Sequence, residues 1–82
     1  GKKKINLKST NLLGNKGDFD DCVQVKVRST GKLLEARVKL KDKKKAEVNL
    51  IKPENGISPG QACVFYKKDR FGHKILGGGW II

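Results

Sequence analysis

Few residues of this sequence have the types and spacing that catalysis or metal binding requires. The chain has two cysteines, Cys22 and Cys63, and one histidine, His73. A zinc site needs about four ligands, and these residues do not supply them. Two isolated thiols are more typical of a reduced cytosolic protein than of a secreted disulfide-bonded domain, although one disulfide is possible. We therefore expect no catalytic residue and no metal site, with Cys63 in the core and His73 on the surface.

A run of three glycines, residues 77–79, invites comparison with a phosphate-binding loop. Such loops end in Gly-Lys-Ser or Gly-Lys-Thr and lead into a helix, and neither feature is predicted here. Glycine within a strand more often marks a bulge or a close approach of two backbones. We predict this second role for the run.

Charge is the strongest signal in the composition. Nineteen Lys and Arg residues face eight Asp and Glu, which gives a net charge of +11 on 82 residues. Such a field attracts polyanions and releases counterions from a phosphate backbone. The charge therefore favours a nucleic-acid partner, and the alternative is that the lysines only keep a small domain soluble.

Four of these cations are placed to form one basic face. Lys26 and Arg28 alternate with valines on one predicted strand, and Arg37 and Lys39 lie on the polar side of the next. If the two strands pair through the turn at residues 29–32, the four cations share one surface. Arginine can clamp a phosphate with two hydrogen bonds, and the Ser29 hydroxyl can add another. The alternative is an ordinary solvated strand face.

The hydrophobic pattern that must position these residues has a period of two almost throughout, which predicts strands with one buried face. No apolar stripe with a period of 3.6 and no apolar run of about 18 residues occurs, so we expect neither a helix nor a membrane span. We expect a loop at residues 53–60 and another at 15–18. The strand at 61–67 is apolar on both faces, so it should lie centrally in the core or be covered on both sides. The predicted strands are 5–13 (interrupted), 23–27, 34–40, 46–50, 61–67 and 73–82, a spacing typical of a small barrel or sandwich.

Two C-terminal segments carry a family resemblance. SPGQACVFY at residues 58–66 and LGGGWI at 76–81 resemble the end of bacterial tRNA-specific 2-thiouridylases (tRNA-uridine 2-sulfurtransferases). Upstream, VKVRS at 25–29 resembles the family's VKIR strand, and NLLG at 11–14 resembles its NWLG opening, with Leu12 where Trp is usual. The resemblance covers nearly the whole chain.

This resemblance implies an all-β fold, a small six-stranded antiparallel β-barrel similar to domain 2 of translation elongation factors. Residues 1–82 would be the C-terminal domain of a longer multidomain enzyme, with residues 1–4 as a tag remnant or linker. The family's enzymes use ATP, with Mg²⁺, to replace the 2-oxygen of the tRNA wobble uridine with sulfur. Their nucleotide loop and catalytic cysteine pair are missing here, so the resemblance implies that this chain is not catalytic by itself and holds no cofactor.

The resemblance also implies where tRNA binds. The family's contacts map to Arg28, Ser29 and Gln61, and Lys26 is a further candidate. The implied partners are the anticodon arm of tRNA, the catalytic and central domains of the same chain, and a sulfur-donor protein. The implied location is the cytoplasm, with no membrane partner. Two alternatives stay open: a purely structural barrel that docks on the catalytic domain, and a free-standing, translation-related RNA-binding barrel.

Overall fold

The computed structural model of the chain describes residues 1–27 and 31–82. Arg28 and Ser29, two of the predicted tRNA contacts, lie outside these ranges. The described residues form six strands and one short 3-10 helix. The elements are β1 (Lys2–Leu12), the 3-10 helix (Lys16–Phe19), β2 (Val23–Lys26), β3 (Leu34–Lys41), β4 (Lys45–Glu54), β5 (Ala62–Asp69) and β6 (Gly72–Ile81).

The strands close into a barrel in the order β1-β4-β3-β2-β5-β6, with antiparallel pairing throughout. This confirms the predicted all-β, six-stranded antiparallel barrel. Closure pairs every described strand on both sides, which removes the exposed edges that would otherwise promote aggregation. No helix in the described ranges has the length and apolar character needed to cross a membrane.

The core follows from the period-two pattern. Residues that alternate with polar neighbours point inward, and Phe65 at the centre of β5 is fully buried, with Phe19 packed edge-on against it at 5.6 Å between ring centroids. No buried side-chain nitrogen or oxygen among the described residues lacks a hydrogen-bond partner. Because the core and all strand pairing come from this chain, we infer that it folds on its own. The buried apolar residues are Ile5, Leu7, Phe19, Val23, Val25, Val27, Ala36, Val38, Ala46, Val48, Leu50, Cys63, Phe65, Leu76 and Ile81.

The predicted interrupted strand at residues 5–13 is one strand with a bulge. β1 pairs with β4 near its start and with β6 near its end, and the β1–β6 register shifts between Lys8 and Asn11. At the bulge Ser9 has a φ of 51°, and the Thr10 N–H donates to the Lys44 carbonyl at 2.9 Å. A bulge bends a strand and increases its twist, so this one lets β1 join β4 to β6 and close the barrel.

Two local predictions need correction. The loop predicted at residues 53–60 begins later, because β4 continues to Glu54, which pairs with Lys2. Pro53 lies where the β1–β4 register shifts, and a bulge is one of the few places in a sheet that accept proline. The loop predicted at residues 15–18 is largely the 3-10 helix, where Asp18 Oδ2 accepts a hydrogen bond from the Asn15 N–H at 3.0 Å. β1 begins at Lys2, so residues 2–4 are part of the barrel.

The glycine run confirms the prediction of a bulge and a close backbone approach. The β5–β6 register shifts where Phe65 pairs with Gly77 and Tyr66 pairs with Ile75. A Cβ atom on Gly77 would collide with the Asn11 carbonyl oxygen of β1, and one on Gly78 would lie 2.5 Å from the Cys63 carbonyl oxygen of β5. The run therefore lets β6 fit between its two neighbours.

Candidate nucleic-acid interface

Of the residues considered for chemistry, Cys63 packs in the core and His73 lies on the surface. Cys63 is fully buried, and this burial raises the pKa of its thiol to about 12, which disfavours the nucleophilic thiolate. His73 is exposed on β6 and pairs with Lys68 on β5. Within residues 1–27 and 31–82, no group of three or more His, Cys, Asp or Glu side chains is placed to hold a metal ion.

Of the cations predicted to contact tRNA, Lys26 lies in the described part of the chain. It is the last residue of β2, its neighbours Val25 and Val27 point into the core, and it pairs with Val64 of β5. Its Nζ lies 6.0 Å from the centroid of the Tyr66 ring, within the range of a cation–π contact. This contact and the half-buried stem hold the ammonium group on the outer side of the β2–β5 pair.

Gln61 lies three residues before Val64, at the same end of the β2–β5 pair as Lys26. Its amide oxygen accepts a hydrogen bond from the Ser58 N–H at 3.0 Å, across the Pro-Gly turn that precedes β5. Its backbone carbonyl accepts from the Ile81 N–H at 2.8 Å. The side chain is thus fixed through its oxygen, and its amide nitrogen is the donor that can turn to a ligand. The structure brings Gln61 and Lys26 to one end of the barrel, while Arg28 and Ser29 lie outside the described residues.

The β2–β3 hairpin is present, but its outer face is not uniformly basic. Gln24 pairs with Glu35 across the two strands, and the Gln24 Nε2 donates to Glu35 Oε1 at 3.1 Å. This pair lies between Lys26 at one end of the hairpin and Arg37 further along β3. Lys26 and Arg37 therefore share one side of the sheet with a carboxylate between them.

A second carboxylate lies on the face formed by β1, β4 and β3. Glu47 of β4 pairs with Lys39 of β3 and makes ion pairs with Lys4 at 3.2 Å and Lys41 at 3.3 Å. A hydrogen bond from Asn49, together with the contacts to Lys4 and Lys41, lowers the pKa of Glu47 to about 2. The cations of this face are therefore partly compensated by Glu47.

Glu47 gives the barrel a predictable response to acid. Its pKa in the folded state is lowered from 4.5 to about 2, so its stabilising effect is complete above pH 4.5 and is lost as the pH falls toward about 2. We expect Glu47→Gln to lower the midpoint of thermal unfolding at pH 7, with a difference from the wild type that shrinks below pH 4.5. Thermal unfolding followed by circular dichroism across this range tests it. The matched control is Glu35→Gln, whose carboxylate contacts an amide and not a lysine; an equal effect of both substitutions would contradict the prediction.

A groove lies on the outer side of β5 and β6, next to the Lys26 end. It has a volume of about 300 Å³, and its lining includes Val64, Gly78 and Trp80. Trp80 is 50% exposed, and it pairs with Ala62 of β5 on one side and Lys8 of β1 on the other. The predicted cover on both sides of β5 is only partial: Cys63 and Phe65 are buried, while the outward side chains are half-buried by residues of this chain.

The sequence predictions did not single out Trp80 or Lys8 for function. The alternation of the strand did indicate an exposed tryptophan, because Trp80 lies at an outward position between Gly79 and the buried Ile81. Its neighbours Ala62 and Lys8 are distant in sequence and come together only through barrel closure. The surface around Trp80 could therefore be predicted only with knowledge of the strand order.

The sequence of this chain is similar to a known domain family and to known enzymes. The family described as the aminomethyltransferase beta-barrel domain matches residues 2–81. A tRNA-specific 2-thiouridylase of Paracoccus denitrificans is 41% identical over 80 residues, which are 96% of this chain and 20% of that protein. Those of Rhodospirillum centenum and Ruegeria pomeroyi are 43% identical over 79 residues and 56% identical over 59 residues, covering 96% and 72% of this chain.

The chain spans about a fifth or less of the length of these relatives, 19% in Rhodospirillum centenum and 15% in Ruegeria pomeroyi. No solved structure matches the chain significantly. The match of residues 2–81 runs through all six described strands, so it covers the barrel and not a shared motif alone. The chain therefore belongs to the aminomethyltransferase beta-barrel domain family, and its resemblance to tRNA-specific 2-thiouridylases is confirmed.

Proposed function

We propose that this barrel is the C-terminal, tRNA-contacting domain of a longer enzyme that 2-thiolates the wobble uridine of tRNA. The observation that carries the proposal is the convergence of Lys26 and Gln61 at one end of the β2–β5 pair. One supplies a positive charge and the other a hydrogen-bond donor, which suit a phosphate and a ribose or base edge. The similarity to a tRNA-specific 2-thiouridylase over 80 residues supports tRNA as the nucleic acid.

In this proposal the barrel contributes binding and the rest of the enzyme contributes chemistry. ATP with Mg²⁺, the sulfur-donor protein and the reactive cysteines act in the catalytic and central domains, in the cytoplasm. The net charge of +11 draws the anticodon arm toward the barrel, and Lys26, Gln61, Arg28 and Ser29 hold it. Electrostatic attraction of this kind is strong at low salt and poor in sequence information.

The affinity of the isolated chain for tRNA tests the proposal. We expect binding that weakens at least about tenfold between roughly 50 and 200 mM salt, because each phosphate contact releases counterions. Fluorescence anisotropy with end-labelled tRNA, repeated at several salt concentrations, gives the affinity and the salt slope. The slope should be shared by tRNAs of unrelated sequence. Absence of binding at the lowest salt concentration would contradict the proposal.

A purely structural role is the second candidate, favoured by the apolar outer side of β6. Ile75 and Trp80 on that side are 49% and 50% exposed, so a neighbouring domain could cover them. A barrel that only docks would show chemical-shift changes when the remaining domains are added and none when tRNA is added.

A further inference from the structure

The groove beside Trp80 has a floor made of backbone. Gly78 at its centre pairs with Val64 of β5 and Asn11 of β1, and it has no side chain to fill the space between them. A Cβ at Gly78 would meet the Cys63 carbonyl oxygen at 2.5 Å, so the strands are in close contact beneath the groove. The result is a shallow, flat-bottomed depression of about 300 Å³.

The walls of the groove are mainly apolar. Trp80 stands at one end with half of its surface exposed, and Ile75 and Leu13 at the other are 49% and 68% exposed. Burial of such aromatic surface is favourable, and an indole presents a flat face on which another ring can stack. This part of the groove suits a flat, apolar ligand surface.

The edge of the groove is polar and the surroundings are positive. Ser9 and Asn11 line it from the β1 bulge, where Ser9 has a φ of 51°. Lys8 pairs with Trp80 on one side, and Lys26 pairs with Val64 on the other. The described lining residues include no carboxylate.

We propose that this groove binds an unpaired nucleobase of RNA, stacked on the Trp80 indole, with Lys8 and Lys26 near the flanking phosphates. The proposal rests on the proposed function and names the part of the RNA that the barrel holds. A nucleotide combines a flat apolar face, a hydrogen-bonding edge and a negative charge, and the groove offers a complement to each. A protein surface covering Trp80 and Ile75 would need separate carboxylates opposite the two lysines, whereas a nucleotide carries its phosphate beside the base. Base–aromatic stacking of this kind tolerates any base, since every base has a π-face.

Trp80 is the single tryptophan of the chain, so its fluorescence reports on the groove directly. We expect a single-stranded oligouridylate of six nucleotides to quench this fluorescence on binding, and inorganic polyphosphate, which has the charge without bases, to bind without quenching it. Trp80→Ala should bind the oligonucleotide about tenfold more weakly, and Trp80→Phe should recover most of the loss because it keeps a stacking ring. The matched control is Phe71→Ala, which removes an aromatic ring that is 90% exposed at the β5–β6 turn. It should leave the affinity unchanged.

The possible failures are distinguishable. If no RNA binds at any salt concentration, the proposed function itself fails. If RNA binds with a dependence on Lys26 but Trp80 is not quenched and Trp80→Ala has no effect, only the groove assignment fails. If the indole N–H signal of the ¹⁵N-labelled chain shifts on adding the remaining domains of the enzyme and not on adding oligouridylate, a protein covers the groove and the assignment is overturned.

Discussion

Replacing Gly77 with alanine is expected to destabilise the barrel by about 3 kcal/mol or to prevent folding, as strained backbone and overpacking together produce effects of this size. Gly77 has a φ of 136°, a backbone conformation that residues with a side chain rarely adopt. The added Cβ would also collide with the Asn11 carbonyl oxygen, a backbone atom of β1 that pairs in the same ladder. Relief requires moving β1 away from β6, and that opens the barrel.

Urea denaturation followed by circular dichroism measures the effect, and the chain offers two comparisons. Gly78→Ala should also destabilise, because its Cβ would meet the Cys63 carbonyl oxygen at 2.5 Å. Gly17→Ala is the matched control: the nearest atom to its Cβ lies 3.9 Å away, so we expect a change within about 0.5 kcal/mol. Equal urea midpoints for Gly77→Ala and Gly17→Ala would mean that β6 does not approach β1 as closely as described.

The strands could be predicted from sequence because alternation records burial directly. Val23 and Val25 are buried and Gln24 between them is not, and the same holds along β3. The β1 bulge could not be located, since Ser9 and Thr10 are both polar and Thr10 is buried only through closure of the barrel. Proline usually ends a strand, so the sequence predicts a loop at Pro53, and only the register shift shows why β4 accepts this residue.

Only part of the candidate site could be predicted from the residue pattern. Lys26 is visible as an outward cation on an alternating strand, and the structure places it so. Gln61 came from the family resemblance, since its position after a Pro-Gly turn gives a local reason for its hydrogen bond to Ser58 but none for binding RNA. The groove at Trp80 depends on pairing between β1, β5 and β6, and the paired residues Lys8 and Trp80 lie 72 positions apart in the sequence. Such long-range pairs leave no periodic signal.

Reversing the charge of Lys26 is expected to have the largest effect on RNA affinity. Lys26→Glu should weaken binding of tRNA by at least about tenfold at moderate salt and reduce the salt slope by about 1, the signature of a lost phosphate contact. The matched control is Lys45→Glu, which changes the net charge equally. Lys45 pairs with Lys41 at the opposite end of β3, roughly 20 Å from the Lys26 end at about 3.3 Å per residue.

Comparing Lys26→Glu with Lys45→Glu separates the loss of a direct phosphate contact from the loss of long-range electrostatic attraction. Both substitutions lower the net charge from +11 to +9, so any loss that comes only from long-range attraction appears in both. A screening length of about 8 to 10 Å near physiological salt is shorter than the distance between the two lysines, so only the lysine beside the RNA should alter the slope strongly. Anisotropy titrations with the same labelled tRNA give both quantities. If Lys45→Glu matched Lys26→Glu in affinity and slope, the RNA would be held by the overall charge of the barrel, and the end of the β2–β5 pair would have no special part in binding.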